Sequence, residues 1–298
     1  MQPVIEVRAL EKRYGRTIAV DDLTFEVAPG TVTGFLGPNG AGKTTTMRAI
    51  LGLIRPDSGE TRVLGAPYRS LEDAVLKVGA LIDGEGFHPG RTGRAHLRML
   101  TDMAGIASAR VDEVLDMVDL SEAADRRVGT FSLGMRQRLG LAGAIIGDPD
   151  LLLLDEPANG LDPSGIRWMR SFLRSYADSG RTVFVSSHVL TEMTHLVDEV
   201  VVVRRGKLVT HTTMTDLVAS DHVVVASSDD VLLTRALEQA GAVVGPLSDG
   251  RLRVREMTPD RVGEVARSEG VTLHELARGT NTLEDVFLQL TEGEPHHV

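Results

Sequence analysis

Gly37-Pro38-Asn39-Gly40-Ala41-Gly42-Lys43-Thr44 has the spacing G-x-x-x-x-G-K-[ST], which sets backbone amides, an ammonium and a hydroxyl around the phosphates of a nucleoside triphosphate. Thr31 to Leu36 before it mixes β-branched and apolar residues as a buried strand does, and Thr45 to Leu53 after it reads as a helix. The loop is therefore a strand-to-helix turn, the setting this motif needs. Gly37, Gly40 and Gly42 permit positive φ and close backbone approach, so successive N–H groups and the helix's positive end can face the β- and γ-phosphates. Lys43 is expected to reach the β/γ oxygens and Thr44 to hold Mg²⁺ through its hydroxyl, with Pro38, Asn39, Ala41 and Thr45 completing the nucleotide contacts. With four Lys in the 298 residues, a coincidental match is expected in roughly half a per cent of such chains.

The 298 residues suffice for a main domain and a small one, and 42% apolar content supports a sizeable core. A net charge of −10 opposes a general nucleic-acid or anionic-membrane surface, since both call for a basic footprint. The longest apolar stretch, Leu139 to Leu154, is broken by Asp148-Pro149-Asp150 and falls short of a bilayer span. Residues 1 to 8 lack a basic-then-apolar signal pattern, and the absence of Cys excludes disulfides, thiol catalysis and Cys-based zinc sites. These features lead us to expect a cytoplasmic chain.

Residues 4 to 27 alternate as an antiparallel hairpin turning at Tyr14-Gly15-Arg16. From Thr92 to Gly147 the period becomes helical, with Val111, Val114, Leu115 and Val118 on one face, which predicts an inserted helical subdomain over about 92–147. Leu151 to Leu154 and Arg181 to Ser187 read as buried parallel strands, and the stripe Ile166, Met169, Phe172, Leu173, Tyr176 supplies the helical crossover between them. A hairpin around Arg205-Gly206 closes this part. The fold class is thus α/β: a phosphate-loop core on a mostly parallel sheet, with an antiparallel N-terminal β subdomain and an inserted helical subdomain. The first domain is placed at 1–218. Beyond it the order strand, helix, strand, strand, helix, strand and a last helix over Leu283 to Leu290 predict a small α+β domain at 219–298, in the order of a ferredoxin-like sandwich.

The run Leu151-Leu152-Leu153-Leu154-Asp155-Glu156-Pro157 brings two adjacent carboxylates to a strand's C-terminal edge, where α/β sheets bind ligands. Adjacent acids there are ordinarily a solvated turn. Behind a phosphate loop they gain roles, Asp155 on Mg²⁺ and Glu156 on the water attacking the γ-phosphorus. Phe131-Ser132-Leu133-Gly134-Met135-Arg136-Gln137-Arg138 precedes a helix that Ser132 suits as a cap, and Gly134 leaves room for a second phosphate surface.

The phosphate loop, this segment, the apolar-Asp-Glu-Pro strand and the Ser186-Ser187-His188 end come in the order found in ATP-binding-cassette ATPases, and residues 4 to 215 resemble that family. The resemblance implies that Ser132 and Gly134 close over ATP held by another subunit's phosphate loop, in a head-to-tail dimer with itself or a homologous ATPase. It makes His188 the γ-phosphate switch histidine, Asp162 of Gly160-Leu161-Asp162 a contact across the dimer as well as a helix cap, and Tyr14 an aromatic that stacks on adenine, where the alternative is an exposed turn residue. Phe131, Leu133 and Met135 depart from the family's Leu-Ser-Gly-Gly-Gln, and Asp83 stands where these ATPases usually carry a Gln near Mg²⁺ and the membrane subunit. An Asp oxygen can face Mg²⁺ but donates no hydrogen bond.

The resemblance further implies an ATP-hydrolysing subunit, with ATP and Mg²⁺ as cofactors, peripheral on the inner membrane face through a separate multi-span permease. The single cassette with a small second domain and the terminal Leu283-Glu284-Asp285-Val286-Phe287-Leu288 is similar to the branch serving bacterial ABC-2-type drug and antibiotic exporters. Rival readings are a soluble ATPase of the same family acting on ribosomes or DNA, opposed by the single loop, absent heptads and acidic balance, and a P-loop kinase or GTPase, opposed by the signature-like segment. His296 and His297, in the polar tail, are assigned no site.

Overall fold

The computed structural model describes residues 2–82, 86–189, 196–247 and 249–280. Strands β1 (Ile5–Tyr14) and β2 (Thr17–Val27) form the expected hairpin, with Gly15 at φ +58° in its turn. Strand β4 (Ser58–Val63) pairs antiparallel with β1 to give a three-stranded sheet in the order β2-β1-β4. Periodicity does not announce β4: its Ser-Gly-Glu-Thr-Arg-Val run is mostly exposed or half-buried, and only Val63 is buried.

Strand β3 (Val32–Leu36) is buried at every position and lies inside a six-stranded sheet ordered β5-β6-β7-β3-β8-β9. Its neighbours are β5 (Val78–Leu81), β6 (Leu151–Leu154), β7 (Thr182–Ser187) and β8 (Glu199–Arg204), all parallel, and β9 (Lys207–Thr213), antiparallel to β8. Sheets buried on both faces take continuous apolar runs, as in Leu151–Leu154. Phe25 of β2 lies 5.4 Å from Phe35 of β3, and Phe35 lies 5.2 Å from Phe184 of β7, centroid to centroid. This aromatic stack joins the antiparallel sheet to the parallel one through a shared core.

Helix α1 (Lys43–Ile50) starts at Lys43, two residues before the sequence-based expectation, because the glycine at 42 already supplies the turn into it. After the short α2 (Ala74–Lys77), helices α3 (Gly93–Ala104), α4 (Arg110–Met117) and α5 (Leu133–Ala144) make up the helical insertion. The stripe Val111, Val114, Leu115, Val118 is fully buried there. Helix α6 (Pro163–Asp178) crosses from β6 to β7, opened by Pro163 in its first turn.

Residues up to Met214 form one compact unit, and a second begins at Thr215, within the short helix α7 (Met214–Val218). The second unit contains β10 (Ala219–Ser227), α8 (Asp230–Gln239), β11 (Val243–Pro246), β12 (Leu252–Arg255), α9 (Pro259–Ser268) and β13 (Leu273–Thr280). Its sheet runs β11-β12-β10-β13, with every neighbouring pair antiparallel. The sequence pattern places the last strand at Val271 to Leu276, and β13 starts two residues later, at Leu273. The helix expected over 283–290 and the tail histidines lie outside the described residues.

Candidate active site

Strand order decides where the chemistry gathers. Strand β7 lies between β3 and β6, so the loop leaving β3, the carboxylates leaving β6 and the Ser187-His188 end of β7 come out side by side at one sheet edge. The loop's glycines are dictated by its surroundings. Gly42 sits at φ +103°, and a Cβ there would lie 2.3 Å from the Ala19 carbonyl oxygen. A Cβ on Gly37 would lie 2.4 Å from the Val203 carbonyl oxygen. Strand β2 and strand β8 therefore press the loop into shape from two sides. Because Gly42 brings no side-chain cap, the first amides of α1 stay open to an anion. By contrast, Ser132 caps α5 and Asp162 caps α6 with their own side chains.

Lys43 is buried, and its ammonium donates to the carbonyls of Gly37 at 2.7 Å and Pro38 at 3.3 Å. It also pairs with Glu156 Oε1 at 3.2 Å. The other Glu156 oxygen, Oε2, lies 2.7 Å from His188 Nδ1 and accepts from the His188 backbone N–H at 3.4 Å. Lysine, glutamate and histidine thus form one chain. Beside it, Thr44 donates its hydroxyl to Asp155 Oδ2 at 2.6 Å, and Ser186 donates to Asp155 Oδ1 at 2.5 Å. Ser186 also accepts the Glu156 backbone N–H at 2.9 Å. Glu156 itself sits at φ +48°, a conformation that non-glycine residues seldom adopt and that recurs at functional sites. A cleft of about 640 Å³ opens onto both carboxylates, with Phe87, Leu133, Gln137 and Asn159 on its walls.

Residues 20–159 match the ABC transporter family model. The chain is 35% identical to the bacitracin transport ATP-binding protein BcrA of Enterococcus faecalis, covering 98% of each chain. The chain belongs to the ABC transporter family. Its ABC relatives include the Nod factor export ATP-binding protein I of Burkholderia orbicola, 36% identical over 97% of each chain. They also include BcrA of Bacillus licheniformis, 43% identical over 70% of this chain and 69% of that protein. Among solved structures, an ATP-binding subunit of an ABC transporter superposes with a TM-score of 0.65 at 26% identity, covering 72% of this chain and 91% of that one. Residues 221–284 match a domain of unknown function, DUF8746. The chain is accordingly an ABC ATPase that binds ATP, on an α/β phosphate-loop fold.

Other positions singled out in this ABC chain have defined surroundings. Ser132 accepts from the Met135 amide at 3.2 Å, which engages one of its two lone pairs and leaves its hydroxyl proton to give. Asp162 accepts from the Gly165 amide at 2.7 Å and from Ser164, and these bonds hold its carboxyl below the ordinary range. Leu133, where the family carries glycine, packs on Gly160, at which a Cβ would lie 2.5 Å from Leu133 Cδ2. Gly160 also sits at φ +73°, so its backbone calls for glycine as well as its contact with Leu133. Gly134 lies on α5 with Leu161 as its neighbour. Tyr14 is half exposed at the hairpin end, with Lys12 Nζ 5.6 Å from its ring centre. Asp83 lies outside the described residues. Ser186, which ties both carboxylates, is the site residue that sequence reasoning missed; the signal available was its place in the Ser-Ser-His strand end.

Proposed function

We propose that this ABC ATPase hydrolyses ATP in the cleft above β3, β6 and β7 and drives export through a separate multi-span permease, from the inner membrane face. The observation carrying the reading is the Lys43-Glu156-His188 chain beside the Thr44-Asp155-Ser186 set. Arriving ATP draws Lys43 from Glu156 onto its β/γ oxygens, aided by the loop amides of Gly37 to Thr45. Glu156, released from the ammonium, then accepts a proton from the attacking water. With His188 Nδ1–H given to Glu156, Nε2 would meet a γ-phosphate oxygen as a donor when the ring carries a proton on both nitrogens.

Magnesium fits the donor set: Thr44 and Asp155 offer hard oxygens already within 2.6 Å of each other. Among the described residues no cluster of three or more His, Asp or Glu gathers as a metal site. Magnesium would be held here by the Asp155 carboxylate and the Thr44 hydroxyl together with substrate phosphates. When bound, it neutralises charge developing between the β- and γ-phosphates.

Ser132, Gly134 and Asp162 face a partner cassette in a head-to-tail dimer, either a second copy or a homologous ATPase, and Tyr14 stacks on adenine. Support comes from the shared cavity of Ser132, Gly134 and Asp162, and from the free hydroxyl proton of Ser132. Residues 1–218 are read as the cassette, and the second unit as a ferredoxin-like domain from its β11-β12-β10-β13 order. Export follows from the relatives named for bacitracin transport and Nod factor export. Among the described residues no helix is long and apolar enough to cross a membrane. Purification of the tagged chain from mildly solubilised membranes, with mass spectrometry, tests this. A multi-span permease in the eluate supports the reading; ribosomes or DNA factors in its place refute it.

A further inference from the structure

Strand β12 turns Leu252 and Val254 toward helices α8 and α9, where both belong to the second unit's core. The two-residue period puts Arg253 and Arg255 on the opposite face. Arg251, nearby, is neutralised by Asp249 at 2.6 Å and by Glu275 at 2.8 Å. The side chains of Arg253 and Arg255, on half-buried residues, make no ion pair or hydrogen bond among the described residues, and the Nε of each is buried without an acceptor. Buried donors are nearly always satisfied, so two unanswered guanidinium N–H groups on one face call for an acceptor.

The adjoining strand leaves space for one. Val243 of β11 stands opposite Arg255 and Gly245 opposite Arg253. Gly245 does not need its glycine for backbone reasons, since it is absent from the positive-φ positions, nor for crowding, since a Cβ there meets nothing within 4 Å. What the missing side chain does is open a cavity of about 180 Å³, walled by Val243–Pro246, Arg253 and Arg255. Pockets for nucleotide- or drug-sized molecules begin near 300 Å³, so this one suits a single small group. Its charge is two uncompensated cations in a chain of net −10.

We propose that the Arg253/Arg255 notch beside Gly245 binds one phosphate-class oxyanion, through the planar donor forks that match its oxygens. Inorganic phosphate and the phosphate of an anionic lipid share this chemistry. The proposal does not depend on ATP hydrolysis at the other site.

The test is a titration of the full chain followed by the side-chain Nε–H resonances of individual arginines, because the loop at 37–44 also takes phosphate and a bulk signal would mix the two. With inorganic phosphate, the Arg253 and Arg255 signals should move together and saturate while Arg235 and Arg261 stay still. In a second arm, sedimentation with phosphatidylglycerol vesicles but not phosphatidylcholine vesicles identifies a lipid source. Arg253→Gln with Arg255→Gln should abolish whichever binding is seen. Gly245→Val keeps both charges, suits a strand and fills the notch, so it should weaken binding at least tenfold. Absence of saturable binding in both arms overturns the site, as does binding that survives the double variant or the filled notch.

Discussion

Replacing Glu156 by Gln separates two jobs that the structure gives to one carboxylate. In the free enzyme Glu156 Oε1 holds the Lys43 ammonium at 3.2 Å, with Lys43 6% exposed and Glu156 21% exposed. At an effective dielectric near 20 that distance corresponds to about 5 kcal/mol of attraction. Desolvation offsets most of it, leaving a net of about 1–2 kcal/mol. ATP has to break this pair before Lys43 can meet the phosphates. Glu156→Gln removes the competitor, so ATP should bind roughly 5- to 30-fold more tightly. The free variant should melt at a lower temperature than the parent, and ATP should close most of that gap. Turnover should fall by about 10²- to 10⁴-fold, the usual contribution of a positioned base. Calorimetric titration with ATP, phosphate release and thermal melts with and without nucleotide measure all three. Near-normal turnover would show that another group handles the water. Unchanged affinity would show that the ion pair does not guard the loop.

Lys43→Ala should nearly abolish ATP binding in the same titration, and unchanged affinity would remove the phosphate-loop assignment. Ser186→Ala leaves Asp155 Oδ1 and the Glu156 amide each short of a partner, so it should lower cassette stability by about 1–3 kcal/mol and slow turnover, read from denaturant melts and phosphate release. Truncation after Ser220 should leave nucleotide binding intact; an unfolded product would refute the boundary. His96 is buried beside Phe87, and burial, reinforced by the Arg91 charge, lowers its pKa from the ordinary 6.5. The unfolded chain then binds the proton more readily, so stability should fall as pH drops through about 6.5 toward the lower folded value. His96→Phe should flatten that slope in melts between pH 7.5 and 5.5; an identical slope would mean that His96 is not its source.

Much of the site was legible because its residues are fixed by local spacing. Gly37 to Thr44 and Leu151 to Glu156 each declare a strand end and its chemistry within eight residues. What was not legible depends on partners far along the chain. Ser186 gains its place only because β7 lies between β3 and β6, which no local pattern reveals. Strand β4 escaped notice because an exposed edge needs no alternation of apolar residues. The contact of Leu133 with Gly160 joins two segments distant along the chain, which no local spacing announces. The unmatched arginines of β12 were hidden for a similar reason, since an arginine's lack of a partner is visible only in three dimensions.

The walls of the phosphate loop bear on when the protein acquires its activity during synthesis. Gly206 donates its amide to the Ala41 carbonyl and accepts from the Asp21 amide, and the Val203 carbonyl crowds Gly37. A ribosome that has finished the loop must still add the residues up to Gly206 before those walls exist. At ordinary elongation rates that delay is roughly ten to thirty seconds. A nascent chain interrupted in this interval carries every residue of the loop and lacks the contacts from Val203 and Gly206 that frame it.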